Sequence, residues 1–168
     1  VAAVDAYQEL VRPLRFDLLA DIPTAATPLV SSLSDRLGVG MVTPRIDAKA
    51  HGTGAKIDGM LDSDRGKTAV LIDDLITRAD SKLEAAEVLT SQGIAVRDIV
   101  VLVDRTQGGK EQLASGGFDL HCALTMGQML DFYARVGKLS QERYRDTIDR
   151  LDALNRFLGV AVLKIKCT

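Results

Sequence analysis

The sequence predicts an α/β fold, a central parallel sheet of about five strands with helices on both faces. Three observations predict it. Ala69–Ile72 and Ile99–Val103 are uninterrupted apolar runs, the composition of strands buried on both faces. Stretches of helical period alternate with such runs in the order β-α-β-loop-β-α-β-α-β-α-α. Polar and glycine-bearing clusters follow the strands, where sheets of this kind bind ligands.

Residues 2–12 show weak helical amphipathicity, with Val4, Leu10 and Val11 among polar neighbours. Phe16–Ala20 reads as a strand and Asp21-Ile22-Pro23 as the turn after it. Leu29, Val30, Leu33 and Leu37 repeat at i, i+1, i+4 and i+8, which predicts a helix over 26–37 ended by Gly38. Val39–Val42 is a second strand, closed by Pro44. Residues 45–67 hold four glycines, few large apolar side chains and no helical period, the pattern of a functional loop. In Thr68–Ser81 a strand is followed by the acids Asp73 and Asp74, a polar turn and a helix start, where Ser81 and Glu84 have capping-box spacing. Leu83, Ala86 and Leu89 give that helix its buried face. Asp98–Val103 is a strand, Lys110–Ser115 a short helix and Phe118–Leu124 a fifth strand. Thr125 is placed to cap a helix running to Val136, and Ser140 to start the last one.

At 168 residues the chain is expected to form one domain, and 46% apolar with 26% charged residues suits a globular core. A net charge of −2 gives no reason to expect attraction to nucleic acid or membrane surfaces. Cys122 and Cys167 are the only cysteines and lack metal-ligand spacing, so a reduced, cytoplasmic protein is expected.

The chemistry concentrates at strand ends. Open amides and the dipole of a helix start favour phosphate, and Asp73 and Asp74 can accept hydrogen bonds from sugar hydroxyls or bind a divalent cation. Pro23–Ala26, Asp73–Ser81, Asp104–Gly109 and the loop from Arg45 all leave strand ends, so one edge of the sheet is expected to hold a sugar phosphate. His121, on a strand, and Cys122 read as structural.

These residues resemble a type I phosphoribosyltransferase, and more narrowly an orotate phosphoribosyltransferase, including the phosphoribosyltransferase half of bifunctional UMP synthases. VLIDDLITRADS keeps the family's strand, both acids, Thr77 and Ser81. Arg45-Ile46-Asp47-Ala48-Lys49-Ala50-His51-Gly52 is similar to its mobile loop, and Asp104–Gly109 reproduces its Asp-Arg-x-Gln-Gly-Gly. Asp17–Pro28 resembles the segment ending in its pyrophosphate loop. The resemblance runs from Phe16 to Leu151.

It implies a Rossmann-like type I phosphoribosyltransferase fold over a single domain, 1–168, with the N-terminal hood reduced or missing and a mobile loop over 45–67. It implies transfer of a phosphoribosyl group from 5-phosphoribosyl 1-pyrophosphate to orotate, giving orotidine 5′-monophosphate and pyrophosphate, the route to UMP. Lys49, Asp73 and Asp74 would be catalytic. Arg45, Lys49, His51, Thr24 and Ala25 would serve the pyrophosphate, and Asp73 and Asp74 the ribose hydroxyls. Leu75 and Ile76 would line the same substrate, Thr77, Arg78, Ala79, Asp80 and Ser81 would cradle its 5′-phosphate, and Thr77 and Arg105 would meet orotate. Mg²⁺ would ride on the pyrophosphate, with Asp73 or Asp74 as its one direct protein ligand if any. A site shared between subunits implies a homodimer. Ala79 stands where the family has glycine, so a left-handed backbone there would be strained. Two alternatives stay open: a catalytically weak regulator of this fold that binds phosphoribosyl pyrophosphate or a nucleotide, and a phosphoribosyltransferase for another base.

Overall fold

The structure, a computed structural model, describes residues 2–46 and 56–160. The elements are α1 (Ala2–Val11), β1 (Leu18–Asp21), α2 (Thr27–Leu37), β2 (Met41–Pro44), β3 (Ile57–Asp58), a 3₁₀ turn (Asp62–Asp64), β4 (Thr68–Ile76), α3 (Asp80–Ser91), β5 (Ala95–Asp104), α4 (Gly109–Ser115), β6 (Asp119–Thr125), α5 (Met126–Arg135) and α6 (Gln141–Phe157). The strands lie in the order β3-β2-β1-β4-β5-β6, and all pairs are parallel except β2–β3.

Successive strand residues point to opposite faces, so the central strands feed two cores. On one face Leu19, Val70, Ile72 and Val100 pack with Val4, Tyr7 and Val11 of α1 and Val30 and Leu33 of α2. On the other, Ala20, Leu71, Ile99 and Val101 pack with Ala85, Ala86 and Leu89 of α3 and Leu113 of α4. The serines and threonine of α2 cost a few tenths of a kcal/mol each as helix formers. Burying Val30 and Leu33 completely stabilises by roughly 1.5–3 kcal/mol each, which outweighs that cost. Gly38 ends α2 in the left-handed conformation, φ 65°. Thr125 and Ser140 cap α5 and α6 as expected, accepting from the Gln128 and Arg143 amides.

Among the described residues the parallel strands number five, as expected, and Ile57–Asp58 adds a sixth by turning back antiparallel on Thr43–Pro44. Three expectations are corrected. The loop expected over 45–67 is therefore structured from residue 56 onward. Its 3₁₀ turn is held by buried Asp64, which accepts from the Leu61 amide (2.8 Å) and the Lys67 ammonium (2.7 Å). Residues 47–55, including Lys49 and His51, lie outside the described residues. Strand β4 does not stop at Ile72 but runs through the acid pair to Ile76, because β5 pairs with it as far as Ile76↔Asp104. Finally, Ser81 and Glu84 form no capping box. The first α3 turn already closes with the Leu83 amide on the Ala79 carbonyl (2.9 Å), so Ala79 is the cap residue and Ser81 lies inside the helix.

Candidate active site

Strands β1 and β4 are neighbours, yet the chain leaves β1 toward β2 and leaves β4 toward β5. Where connections diverge in this way, a crevice opens beyond the carboxyl ends of the two strands. Asp21, at the end of β1, is fully buried and accepts from the Thr27 hydroxyl and from that of Thr43 at 2.5 Å. The Ile22 amide donates to the Ile72 carbonyl (3.1 Å), fixing the turn against β4. Between these anchors Pro23, Thr24 and Ala25 are exposed, and the Pro23–Thr24 peptide is cis.

The acid pair obeys the strand's two-sided rule. Asp73 falls on the face of Ala69 and Leu71, under α3, and Asp74 on the face of Val70 and Ile72. Asp73 is buried, and its carboxylate accepts from the equally buried Lys82 ammonium and from the Asp74 amide (2.8 Å). Burial pushes the Asp73 carboxyl above the usual carboxylate range, against the opposing pull of Lys82. Asp74 is half-buried, and its carboxylate accepts from the Leu75 amide (2.7 Å). Beneath them, fully buried Tyr7 donates its hydroxyl to the Asp73 carbonyl (2.8 Å). Burial and the two acids raise the Tyr7 hydroxyl well above its ordinary value, which keeps it a donor.

After the acids, Leu75 is exposed, Ile76 is core, and Thr77 begins the turn into α3. Ala79 has φ −92° and ψ 0°, an ordinary bridge-region conformation, so the expected left-handed strain is absent. Its amide donates to the Gln112 side chain (2.9 Å). Arg78 faces Asp80 across 3.4 Å, both exposed. Ser81, half-buried, shares this first turn.

The Asp104–Gly109 turn lies directly alongside. The Arg105 amide donates to the Ile76 carbonyl (2.9 Å). A Cβ on Gly109 would sit 2.5 Å from Ile76 Cγ1 and 3.0 Å from the Thr77 carbonyl oxygen, so glycine is what lets the two turns touch. Thr106 adopts φ 55°, rare for a β-branched residue. Two bonds hold it there: its amide donates to Asp104 (2.7 Å), and its carbonyl accepts from Asn155 of α6 (3.2 Å). Burial raises the Asp104 carboxyl above its usual range. Arg105 Nε and both polar atoms of the Gln107 side chain are buried without a hydrogen-bond partner among the described residues.

The edge thus brings together Thr24, Ala25, Asp73, Asp74, residues 75–81 and Arg105. Arg45 lies on the same edge at the end of β2, but its guanidinium is forked onto Asp58 (2.8 and 2.7 Å). It lines, with Lys56, Glu84 and Glu87, a cleft of about 370 Å³ against α3. Among the described residues no group of three or more His, Cys, Asp or Glu could hold a metal ion, and no helix is long and apolar enough to cross a membrane. His121 contacts Asp98 (2.7 Å), the structural role expected of it.

Comparison with known proteins bears on the same residues. The phosphoribosyl transferase domain family matches residues 5–119. The bifunctional PyrF/PyrE enzyme of Nostoc is 35% identical over 84% of this chain, which spans 29% of that protein's length. The structure of Leishmania donovani UMP synthase superposes with a TM-score of 0.77 at 31% identity, over 94% of this chain and 32% of that one. The orotate phosphoribosyltransferase of Pyrobaculum islandicum is 32% identical, over 88% of this chain and 75% of that enzyme. The chain belongs to the orotate phosphoribosyltransferase family.

For an orotate phosphoribosyltransferase relative, four residues of this edge stand outside every motif of the sequence. Tyr7, Lys82, Gln112 and Asn155 each reach it from an element that local pattern assigns only to packing. Lys82 had the best available clue. It stands three residues after Ala79 and before Ala85, on the helix face that Ala86 and Leu89 continue into the core.

Proposed function

We propose that this chain transfers the phosphoribosyl group of 5-phosphoribosyl 1-pyrophosphate to orotate, forming orotidine 5′-monophosphate and pyrophosphate. The observation that carries the reading is the contact of two turns. The acid-pair strand and the Asp104–Gly109 turn meet through the Arg105 amide and the Ile76 carbonyl (2.9 Å), beyond the β1–β4 divergence. A sugar phosphate on the β4–α3 turn and an acidic base at Arg105 would then be neighbours.

Breaking the anomeric C–O bond builds positive charge on the ribose and negative charge on the departing pyrophosphate. Positioning and electrostatics therefore supply the catalysis, and no nucleophile is required. The acid pair orients the ribose, and residues 77–81 receive the 5′-phosphate with Leu75 and Ile76 beside them. The Pro23–Ala25 turn faces the pyrophosphate. Arg105 offers a planar fork to the orotate carboxylate. Lys49 and His51 bring cations to the leaving group, and Arg45 joins them on release from Asp58. Mg²⁺ needs few protein ligands when carried on phosphates, and this chain would add at most Asp74. When bound, it neutralises charge on the leaving pyrophosphate. We further propose a cytoplasmic homodimer, with a cation loop serving the neighbouring subunit's site.

Loss of orotate absorbance on mixing the chain with Mg²⁺, phosphoribosyl pyrophosphate and orotate tests the reading. Turnover is expected, slowed by about 10²–10³-fold in Lys49→Ala without loss of fold. A folded chain that consumes no orotate would refute it. A second reading, a catalytically weak regulator of this fold, is favoured by one detail. The Ala79 amide, which a 5′-phosphate would use, already serves Gln112 (2.9 Å). Phosphoribosyl pyrophosphate binding without turnover would select that reading.

A further inference from the structure

Helix α6 meets the Asp104–Gly109 turn through a polar side chain. The helix is 17 residues long, and Asn155 is the one residue that it buries. A helix docked by packing alone would bury an apolar side chain there, and asparagine is a weak helix former. Burying an amide is unfavourable unless it is hydrogen-bonded. Asn155 Nδ2 donates to the Thr106 carbonyl, 49 residues back along the chain (3.2 Å). Gly159, left-handed at φ 69°, then turns the chain so that the Val160 amide returns to the Asn155 carbonyl (2.8 Å). A Cβ on Gly108 would lie 2.9 Å from Val160 Cγ2, so the end of α6 rests on two residues of the same turn.

The turn needs holding at that point. Thr106 is the one non-glycine residue with positive φ among the described residues, and a β-branched side chain is strained there. Such strain persists only where the surrounding structure fixes it, and it gathers at functional sites. The bonds that fix it bracket Arg105. The Arg105 amide is tied to Ile76 (2.9 Å), the Thr106 amide to Asp104 (2.7 Å) and the Thr106 carbonyl to Asn155. Asp104 belongs to the turn and moves with it, whereas Asn155 is anchored in a separate helix. The seam is polar from both sides. Arg105 Nε, Thr106 Oγ1, the Gln107 side chain, Asp152 Oδ1 and Asn155 Oδ1 are buried without a hydrogen-bond partner among the described residues, an arrangement that asks for a reason beyond stability.

We propose that Asn155 is a positioning residue for base recognition: its amide clamps Thr106 in the left-handed conformation and thereby aims Arg105 at the carboxylate of the base. The inference rests on the reading of Arg105 as the orotate contact. Side-chain rotamers depend on backbone dihedrals, so the backbone at 105–106 sets where the guanidinium points. A guanidinium fork engages a carboxylate through two parallel bonds, which a small rotation breaks. The clamp therefore acts on affinity for the base. The sugar-phosphate turn stays in place, because the bond that starts α3, from the Leu83 amide to the Ala79 carbonyl, lies within that element and its cap.

Steady-state turnover of the full chain, with orotate and phosphoribosyl pyrophosphate varied in turn, tests this. Asn155→Leu keeps a branched side chain and removes the donor. It is expected to raise the KM for orotate about 3- to 10-fold, as the loss of one hydrogen bond does, and to leave the KM for phosphoribosyl pyrophosphate within about twofold. Thr106→Gly removes the need for a clamp, because glycine takes positive φ without strain. In that background Asn155→Leu should shift the orotate KM by less than about twofold, the non-additivity of residues that act through one another. Should Asn155→Leu fail to fold, Asn155→Ala, which adds no bulk, takes its place. Equal rises in both KM values would mark Asn155 as a structural residue and overturn the proposal. An unmoved orotate KM in the folded variant would overturn it too, as would an undiminished effect in the Thr106→Gly background. If the parent binds orotidine 5′-monophosphate without turnover, the same comparison is read by calorimetry, in its affinity against that of ribose 5-phosphate. If the parent neither turns over nor binds orotidine 5′-monophosphate, the proposed function falls and this inference with it. If the parent turns over and Asn155→Leu behaves as the parent does, only this inference falls.

Discussion

The β4–α3 and β5–α4 turns lie side by side at one edge of the sheet and are built in opposite ways. The first is relaxed: Ala79 has ordinary dihedrals, and Arg78 and Asp80 pair in solvent. The second is held under constraint, with Thr106 left-handed at φ 55°, Gly108 at φ 94° and buried polar atoms at Arg105 and Gln107 without partners among the described residues. The relaxed turn carries the sugar-phosphate motif and tolerates departures from the family sequence. The constrained turn keeps the five residues that the family motif specifies, and three of them have a duty that a neighbour enforces: Asp104 accepts from the Thr106 amide, the Arg105 amide donates to Ile76, and Gly109 lets the two turns touch. Sequence fidelity here follows packing constraint.

Swapping the demands of the two turns should break that contrast most visibly. Gly109→Ala forces a methyl against Ile76 and the Thr77 carbonyl and is expected to cost about 1–3 kcal/mol, read as a drop in Tm. Ala79→Gly, which restores the family glycine, should cost less than about 1 kcal/mol, because the native backbone needs no positive φ. Equal losses would show that the relaxed turn is as constrained as its neighbour.

A pH series separates the constrained turn from the scaffold. Burial raises the Asp104 carboxyl in the folded state, so the folded chain takes up this proton before the unfolded one. Its contribution to stability therefore rises as pH falls from the raised value toward the unfolded carboxylate range. Asp64 has the opposite sign. The Lys67 bond and the Leu61 amide lower its carboxyl, and its contribution is lost as pH falls through that lowered value. Denaturation between neutral and acid pH should show the Asp104 contribution vanish in Asp104→Asn, and the Asp64 contribution vanish in Asp64→Asn. Matching slopes in the two variants would contradict the assignment.

The smallest effect belongs to the relaxed turn. Arg78 and Asp80 are exposed, and pairs of that kind contribute about 0–1 kcal/mol. Arg78→Ala should leave the Tm within about 2–4 °C of the parent, and a larger fall would mean that the turn is braced by its side chains.

Much of this was legible because it is local. The β4 apolar run, the Thr125 and Ser140 caps, the Gly38 stop and the intact Asp104–Gly109 motif each depend on residues within a few positions of one another. The errors also have local causes. The Ser81–Glu84 spacing imitates a capping box, but the helix starts two residues earlier, where α3 can seat Ala79 and Lys82 against the sheet. Residues 56–67 read as loop because a two-residue strand and a 3₁₀ turn have no period to detect.

By itself the sequence determined the α/β class, the phosphoribosyltransferase-like motifs and the helix ends. Those follow from backbone preference and short-range apolar spacing. The tertiary structure decided which strands adjoin, and hence that β1 and β4 diverge to open the crevice. It also decided the partners of the site: Tyr7 under Asp73 across 66 residues of chain, and Asn155 on Thr106 across 49. No local preference encodes such pairings, because a side chain's role there depends on what the folded sheet sets against it. Lys82 shows the limit most clearly: nine residues beyond Asp73, it is a helix residue in the sequence and the acid's buried partner in the fold.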